Sequence, residues 1–397
     1  MFVRRGVKMA GKMLFTLKEK QNRRSLCLAL AGTLGVGNIV GVAIGIIVGG
    51  AGSVFWIFIS GFFSSVIKYC ESSLARDMSN SRHGGMHYVI RSSFGRAGRA
   101  LSFLYAALCL FLSLTMGSMM QSKAVADSLE GVCNVPRSIS AAVFAFLIII
   151  LIRIGVEKIE QFTEIAIPLT TMVYIILALS VILVNHNAIG GVMRLIFRGA
   201  FSPDSALGGA LGVFTSNAMR EGFARGLLSN EAGAGTSAMA QSRAEGEPCL
   251  AGLMGMCEVF FDTTLLCTVT GIAILSAVPN IGDFESGTDI IIYAIKGAIG
   301  SVGTALLPPL IILFAYSTVI CWYFYGCECL EFIAGKQGGR LYMLLFAVTV
   351  LLGAILPMQG VVVFIDYLLL FMTALTAAAL IKNSERIVRL SELGGLL

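Results

Sequence analysis

Apolar residues run along this chain in about ten blocks, each near the 20 or so residues that cross a bilayer. The blocks fall at about 26–49, 53–75, 99–127, 137–155, 163–184, 207–235, 248–276, 301–328, 340–356 and 360–381. Short polar or basic connections separate them. The amphipathic stretch 288–299 predicts an interfacial or re-entrant helix before the eighth span. Pro308-Pro309 predicts a kink or a start in that span, because proline removes a helical N–H and crowds the preceding turn.

Two of the blocks are interrupted by glycine. The first reads Gly32-Thr33-Leu34-Gly35-Val36-Gly37-Asn38-Ile39-Val40-Gly41. The second reads Glu221-Gly222-Phe223-Ala224-Arg225-Gly226-Leu227-Leu228-Ser229-Asn230-Glu231-Ala232-Gly233-Ala234-Gly235. A glycine inside a helix costs roughly 1 kcal/mol against alanine, so spans that accept several predict local unwinding. Unwound backbone at membrane depth persists only where something else satisfies its N–H and C=O groups. In secondary transporters, substrate and coupling ion do so where matching helices of two repeats break. Ten spans divide into five and five, and the broken ones are then the first of each half. An odd number per half gives the halves opposite topology. The expected fold is all-α and polytopic, a 5+5 inverted repeat with broken first and sixth helices.

Composition agrees. The 397 residues are 56% hydrophobic and 13% charged, against about 25% charged in soluble domains. Most of the ten cysteines sit in apolar runs as small hydrophobes, and the three histidines do not make a zinc pattern. Basic residues gather at Arg4, Arg5, Lys8, Lys12, Lys18, Lys20, Arg23 and Arg24, after the second span at Arg76–Arg99, and at Lys382, Arg386 and Arg389. The positive-inside rule places both termini in the cytoplasm of a cell-membrane protein. The expected division is a basic amphipathic surface segment at 1–25, a first repeat at 26–184, an extracellular connection at 185–206, a second repeat at 207–381 and a cytoplasmic tail at 382–397. His83 and His87 are expected in a solvated cytoplasmic loop, and Lys123 near an outer helix end, its amine reaching water.

Four motifs in order resemble the alanine or glycine:cation symporter family, also called the sodium:alanine symporters. They are Gly35-Val36-Gly37-Asn38-Ile39-Val40-Gly41-Val42-Ala43, Ala224 to Gly235, Phe261-Asp262-Thr263-Thr264 with Cys267-Thr268, and Ser317-Thr318 with Trp322 and Tyr325-Gly326. The resemblance implies coupled uptake of alanine or glycine with sodium, sometimes protons, and no enzymatic activity. The chain departs from the family at Gly49-Gly50-Ala51-Gly52, at Gly117-Ser118-Met119-Met120-Gln121-Ser122-Lys123, and at Met372-Thr373-Ala374. It also starts after the family's usual N-terminal helix, with 26–381 expected to supply the whole core.

A zwitterionic amino acid needs donors for its carboxylate, which backbone N–H groups at a half-helix terminus supply. Val36, Gly37 and Asn38 are the expected donors, though Gly37 and Gly41 also have the spacing of close helix packing. Gln121, Leu228, Thr318 and Trp322 are expected pocket walls. Thr318 and Trp322 stand four apart on one face, and an indole face attracts an ammonium. By similarity to the fold's ion site, sodium is expected between the Ala31 and Leu34 carbonyls and the Ser317 and Thr318 hydroxyls. The alternative for Ser317 and Thr318 is bonding to their own helix carbonyls. Arg220, Glu221, Arg225, Asn230 and Glu231 form either a gating network at the cytoplasmic mouth or structural pairs around the second break. Asp262 and Asp366 are expected to cap or brace helices. The expected partners are a small neutral amino acid and the lipid bilayer, without nucleic acid or organic cofactor, and the expected state is a monomer. A channel would need rings of charge or filter repeats, and a hydrolase a nucleophile with an oriented base. Neither pattern is evident. A transport-fold sensor that binds without uptake, or a proton-coupled carrier of another small amino acid, remains the alternative.

Overall fold

Charge-poor, apolar blocks become helices because a bilayer leaves no other way to satisfy the backbone. The computed structural model describes residues 18–79, 83–153, 156–201, 216–335 and 339–394. Most of the expected surface segment, 1–17, lies outside the described residues, as do 202–206 of the connection and 207–215 of the sixth predicted span. All regular structure among the described residues is helical.

The first span is two half-helices, Lys20–Thr33 and Val40–Gly49, joined by a tight turn at Val36–Asn38. The two parts meet at a 60° bend. The second span is Gly52–Asp77 and the third is Gly95–Cys133. The fourth and fifth are Arg137–Ile152 and Val156–Val184. The sixth begins as Asn217–Asn230, unwinds over 231–237 and resumes as the short Ala238–Gln241. The seventh is Pro248–Ala277. The ninth and tenth are Gly339–Ile355 and Gln359–Lys382. The third and seventh spans each contain a wide π turn, at Thr115–Met120 and Phe260–Cys267.

A separate helix precedes the eighth span, as its amphipathic pattern predicts. Residues 287–299 form one helix and 301–334 the next, and the two meet at a kink at Gly300, whose φ is 75°. The direction changes there because glycine alone enters that region without steric cost. Pro308 and Pro309 lie inside the helix and neither start it nor break it. Short helices lie between spans at Met86–Ser93 and at the amphipathic Ile189–Ala200, and Ser384–Leu393 follows the tenth span. His87 is not solvated. It is fully buried beside Phe332, with ring centroids 4.8 Å apart. That burial pushes its imidazole down to about 3, so it is neutral. His83 faces Glu328 at 3.3 Å.

Side chains such as Phe62, Phe63, Ile165, Leu183, Val302 and Leu370 stand exposed on the outer helix faces. They form the lipid-facing surface of a membrane protein. Inside, small residues let spans approach. A Cβ on Gly226 of the sixth span would overlap the Ser60 hydroxyl of the second. A Cβ on Gly255 would meet the Ser72 hydroxyl at 2.6 Å and the Lys68 carbonyl at 2.9 Å. Lipid offers no hydrophobic drive for helix association, so such backbone proximity supplies the contact.

The bundle end that carries Lys20, Asp77 and Lys382 is tied shut. Glu245 N–H donates to Asn22 Oδ1 at 2.7 Å, and Ser25 Oγ donates to the Ala240 carbonyl at 2.8 Å. Arg24 pairs with Glu164 at 2.9 Å and Arg243 with Glu160 at 2.8 Å.

Gly226→Val forces the second and sixth spans apart. Apparent melting of purified protein in detergent should fall by several degrees, equivalent to about 1–3 kcal/mol. Gly190→Ala, at a position where a Cβ meets nothing within 4 Å, should change stability by no more than about 0.5 kcal/mol. Equal melting of both variants would contradict the close packing.

Candidate functional site

At the first break the helical backbone pairing gives way to a short turn, in which the Asn38 N–H donates to the Gly35 carbonyl at 3.3 Å and the Ile39 N–H to the Val36 carbonyl at 3.1 Å. The Gly35 N–H, which helical continuation would aim at the Ala31 carbonyl, donates instead to Asn38 Oδ1 at 2.9 Å. The Val36 N–H donates to Gln121 Oε1 at 3.4 Å. The Thr318 hydroxyl donates to the freed Leu34 carbonyl at 3.3 Å. Each of these groups would otherwise be a buried polar atom without a partner, a cost of about 1–3 kcal/mol.

The second break is joined to the first. Asn38 Nδ2 donates to Ser229 Oγ at 2.8 Å and to Asp262 Oδ1 at 2.5 Å. Ser229 Oγ and Thr263 Oγ1 both donate to Asp262 Oδ2 at 2.7 Å. Asn230 Nδ2 donates to Thr263 Oγ1 at 2.9 Å, and its Oδ1 accepts the Ala232 N–H at 2.9 Å. Glu231 then turns the chain at φ 56°, left-handed for a residue with a Cβ. Asp262 therefore braces both breaks from the seventh span.

A cavity of about 480 Å³ opens where the breaks meet. Of the residues expected at the substrate, Val36, Gly37, Gln121, Leu228 and Thr318 line it. Gly37 faces open space, since a Cβ there would meet nothing within 4 Å. Ser286, Asp127 and Met358 also line it. They sit at helix ends opposite Lys20 and Lys382, so the cavity opens away from the closed, basic end. Lys123 lies on its wall, 2.6 Å from Asp127, which also pairs with Arg137 at 3.2 Å. Asp366 and Arg225 line it as well.

Other expected residues lie elsewhere. Asn38 is fully buried behind the cavity, with its amide committed to Asp262, Ser229 and Gly35. Trp322 is fully buried against Gly117, where a Cβ would overlap its ring system, and is not on the cavity wall. Thr318 and Trp322 do share a helix face, but one turn separates them in depth. Ser317 Oγ donates to the Leu313 and Phe314 carbonyls of its own helix, both at 2.9 Å. Ala31 is fully buried beneath the first break. Glu221 pairs with Arg225 at 3.1 Å along the helix, and exposed Arg220 approaches Glu221 at 3.8 Å. Arg225 stands beside Gly45 and Glu221 beside Gly49 of the first span's second half. They belong to the open end and not to the basic one, because the helical part of the sixth span precedes its break.

Three buried charges escaped the sequence reading. Lys68 and Glu71 on the second span and Glu258 on the seventh are fully buried. Lys68 Nζ lies 3.1 Å from Glu258 and also reaches the Ser237 hydroxyl. The Glu71 carboxylate accepts the Gly233 N–H at 2.8 Å. The signal was present: ionisable residues inside apolar spans are rare and functional by default.

The profile of the sodium:alanine symporter family matches residues 5–392. The chain is 32% identical over 350 residues to an uncharacterized transporter of Haemophilus influenzae, covering 86% of this chain and 76% of that one. It is 31% identical over 343 residues to the sodium/alanine symporter AgcS of Methanococcus maripaludis, covering 83% and 74%. Among solved structures, MhsT in complex with L-phenylalanine aligns with a TM-score of 0.62 at 16% identity, covering 90% of this chain and 87% of MhsT. The nucleobase-cation-symport transporter Mhp1 aligns at 0.58 and 12% identity, covering 90% and 76%. These structures carry the fold expected from the broken spans.

Asn38→Ala removes the donor that joins the breaks and strands Asp262 with fewer partners. Its cost should be about 1–3 kcal/mol in apparent stability. Amide hydrogen exchange should rise at 34–39 and 229–236 together. Exchange confined to the first break would contradict the link through Asp262.

Proposed function

Because the chain belongs to the sodium:alanine symporter family, we propose that it takes up alanine or glycine together with sodium. It is a membrane symporter and not an enzyme. The observation that carries the finer reading is the cavity shared by the two breaks, with Gly37 facing open space and Thr318 bonded to a freed carbonyl.

The substrate carboxylate binds at the first break, against the backbone of Val36 and Gly37 and the amide of Gln121. Leu228, Met116 and Met120 limit the space for its side chain. Asn38 acts as a positioning residue, since its amide is spent on Asp262 and Ser229. Sodium sits between the Ala31 and Leu34 carbonyls and the Thr318 hydroxyl. Ser317 joins them by turning from its own helix carbonyls. An uncharged ion site of carbonyls and hydroxyls matches a cation that is also held by the substrate's negative end.

The basic end faces the cytoplasm of the cell membrane, with both termini there, by the positive-inside rule. The cavity then opens outward, and the Arg24–Glu164 and Arg243–Glu160 pairs close the inner side. Arg220, Glu221 and Arg225 belong to the outer mouth, with Asn230 and Glu231 holding the second break. The repeats run 26–184 and 207–381, and the protein works as a monomer around a midplane site.

Proteoliposomes with an inward sodium gradient should accumulate labelled alanine or glycine, and unlabelled glutamate or arginine should compete poorly. Equal uptake with external potassium or choline would overturn sodium coupling. Binding without accumulation would favour a sensor.

Gly37→Leu should insert and melt like the parent, because the new side chain enters open cavity. Alanine affinity should nonetheless fall by at least about tenfold, roughly 1.4 kcal/mol. Unchanged affinity would remove the first break from the binding site.

A further inference from the structure

A second cavity lies outside the substrate pathway. It is a groove of about 820 Å³ between the first half-helix and the fifth span, completed by Phe261 and Leu265 of the seventh. It shares no lining residue with the substrate cavity. Ile165, Met172 and Ile176 on its fifth-span wall are exposed, so the groove opens sideways toward the hydrocarbon of the bilayer. Leu26, Cys27 and Leu30 at its depth are 6–9% exposed, covered but not sealed.

Both walls run inward from the basic end, one from Arg23 to Leu34 and the other from Glu164 to Ile176. At 1.5 Å of rise per residue each is about 16–18 Å long, roughly half of a hydrocarbon core about 30 Å thick. The groove therefore has the depth of one leaflet. Its charge is confined to the mouth. Glu164 accepts there from Arg23 at 3.2 Å and from Arg24 at 2.9 Å, so two guanidinium groups meet one carboxylate. The Arg23 side chain is still 42% exposed. Exposed Lys18, Glu19 and Lys20 precede this pair in the chain and add a net positive charge to the same end. Beyond the mouth the lining is apolar except for Cys27 and Thr171. Basic pockets between spans at a membrane surface take anionic head groups.

We propose that this groove holds one anionic phospholipid of the leaflet at the basic end. Its phosphate lies at Arg23, and one acyl tail runs along Leu26, Cys27 and Leu30 toward Leu34. A soluble anion has no tail for the apolar length of the groove. A zwitterionic phospholipid brings a cation of its own to a mouth that is already positive. The site backs onto the first break, because the Leu34 carbonyl accepts from the Thr318 hydroxyl on the other side. A tail in the groove therefore steadies the half-helix that carries this break and keeps the basic end closed. The lipid site does not depend on which amino acid or ion is carried, so it stands or falls apart from the symporter reading.

The test uses the full chain in phosphatidylcholine nanodiscs. They carry a trace of phospholipid with a photoreactive tail, either phosphatidylglycerol or phosphatidylcholine, and attachment sites are read by peptide mass spectrometry. Phosphatidylglycerol should label residues 26–30 at least about fivefold more than phosphatidylcholine, the factor that one basic residue near a membrane surface supplies. Phe62 and Leu183, exposed on other outer faces, should take both lipids alike. Arg23→Gln should remove the preference at 26–30, and Arg23→Lys should keep it. Equal labelling of 26–30 by the two lipids in the unaltered chain overturns the proposal. So does label confined to outer faces such as Phe62 and Leu183, the result for surrounding lipid only or for a groove filled by another segment of the chain. Competition by glycerol phosphate, the head group without tails, would show an anion site only and overturn the lipid. Should Arg23→Gln not fold, Ile175→Trp must abolish labelling of 26–30 by filling the groove, and persistent label there overturns the site equally. Amide exchange over 20–33 should slow when phosphatidylglycerol is added to the unaltered chain and not in Arg23→Gln. Exchange that ignores the lipid overturns the steadying of the half-helix.

Discussion

A helix that breaks inside a bilayer must hand its freed N–H and C=O groups to side chains, because lipid accepts none of them. This chain meets that constraint twice and joins the two solutions. Asn38 serves the first break through its oxygen and the second through its nitrogen. Asp262 gathers the donors of both. Neither unwound segment is held independently. A change in one is felt at the other through a path of three side chains, and the seventh span carries the junction.

Around this junction the bundle is unequal end to end. The basic end is stitched by ion pairs and backbone contacts between the first span, the fifth span and the turn after the second break. The opposite end contains a cavity with charged side chains on its wall. The ion pairs of the first kind are partly exposed and so individually weak, on the order of 1 kcal/mol or less, while the Ser25–Ala240 hydrogen bond among them is buried. Several weak contacts suit an element that has to open and close, since each can be lost without unfolding a core. The tight glycine contacts between the second, sixth and seventh spans have the opposite character.

The span count, the two breaks and the family motifs were legible in the sequence, because hydropathy and glycine act locally. Five expected residues reach one cavity for the same reason: they sit on or opposite the breaks. Trp322 and Asn38 misled because helical spacing gives direction but not depth. Trp322 shares a face with Thr318 yet lies a turn deeper against Gly117, and Asn38 turns its amide inward. The helix before the eighth span was legible from its amphipathic pattern, but Gly300 and not Pro308-Pro309 marks where the span starts. Lys68, Glu71 and Glu258 were visible as charges inside apolar runs, but only tertiary packing makes them neighbours of the second break.

The π turns in the third and seventh spans give chain length a meaning of its own. Each accommodates an additional residue within one turn, and an α-helix advances about 100° per residue. Deleting one residue from Thr115–Met120 would let that turn tighten to ordinary helix and leave the residues beyond it facing as before, whereas deleting one from the ordinary helix just before it would rotate everything beyond by that angle. Gln121 and Lys123 would leave the cavity wall although no side chain in it had been altered. The same holds for the alignment of Asp262 with the segments that follow it. The wide turns are where these two spans absorb a change in residue number, and a one-residue change elsewhere in them would alter the site more than many substitutions.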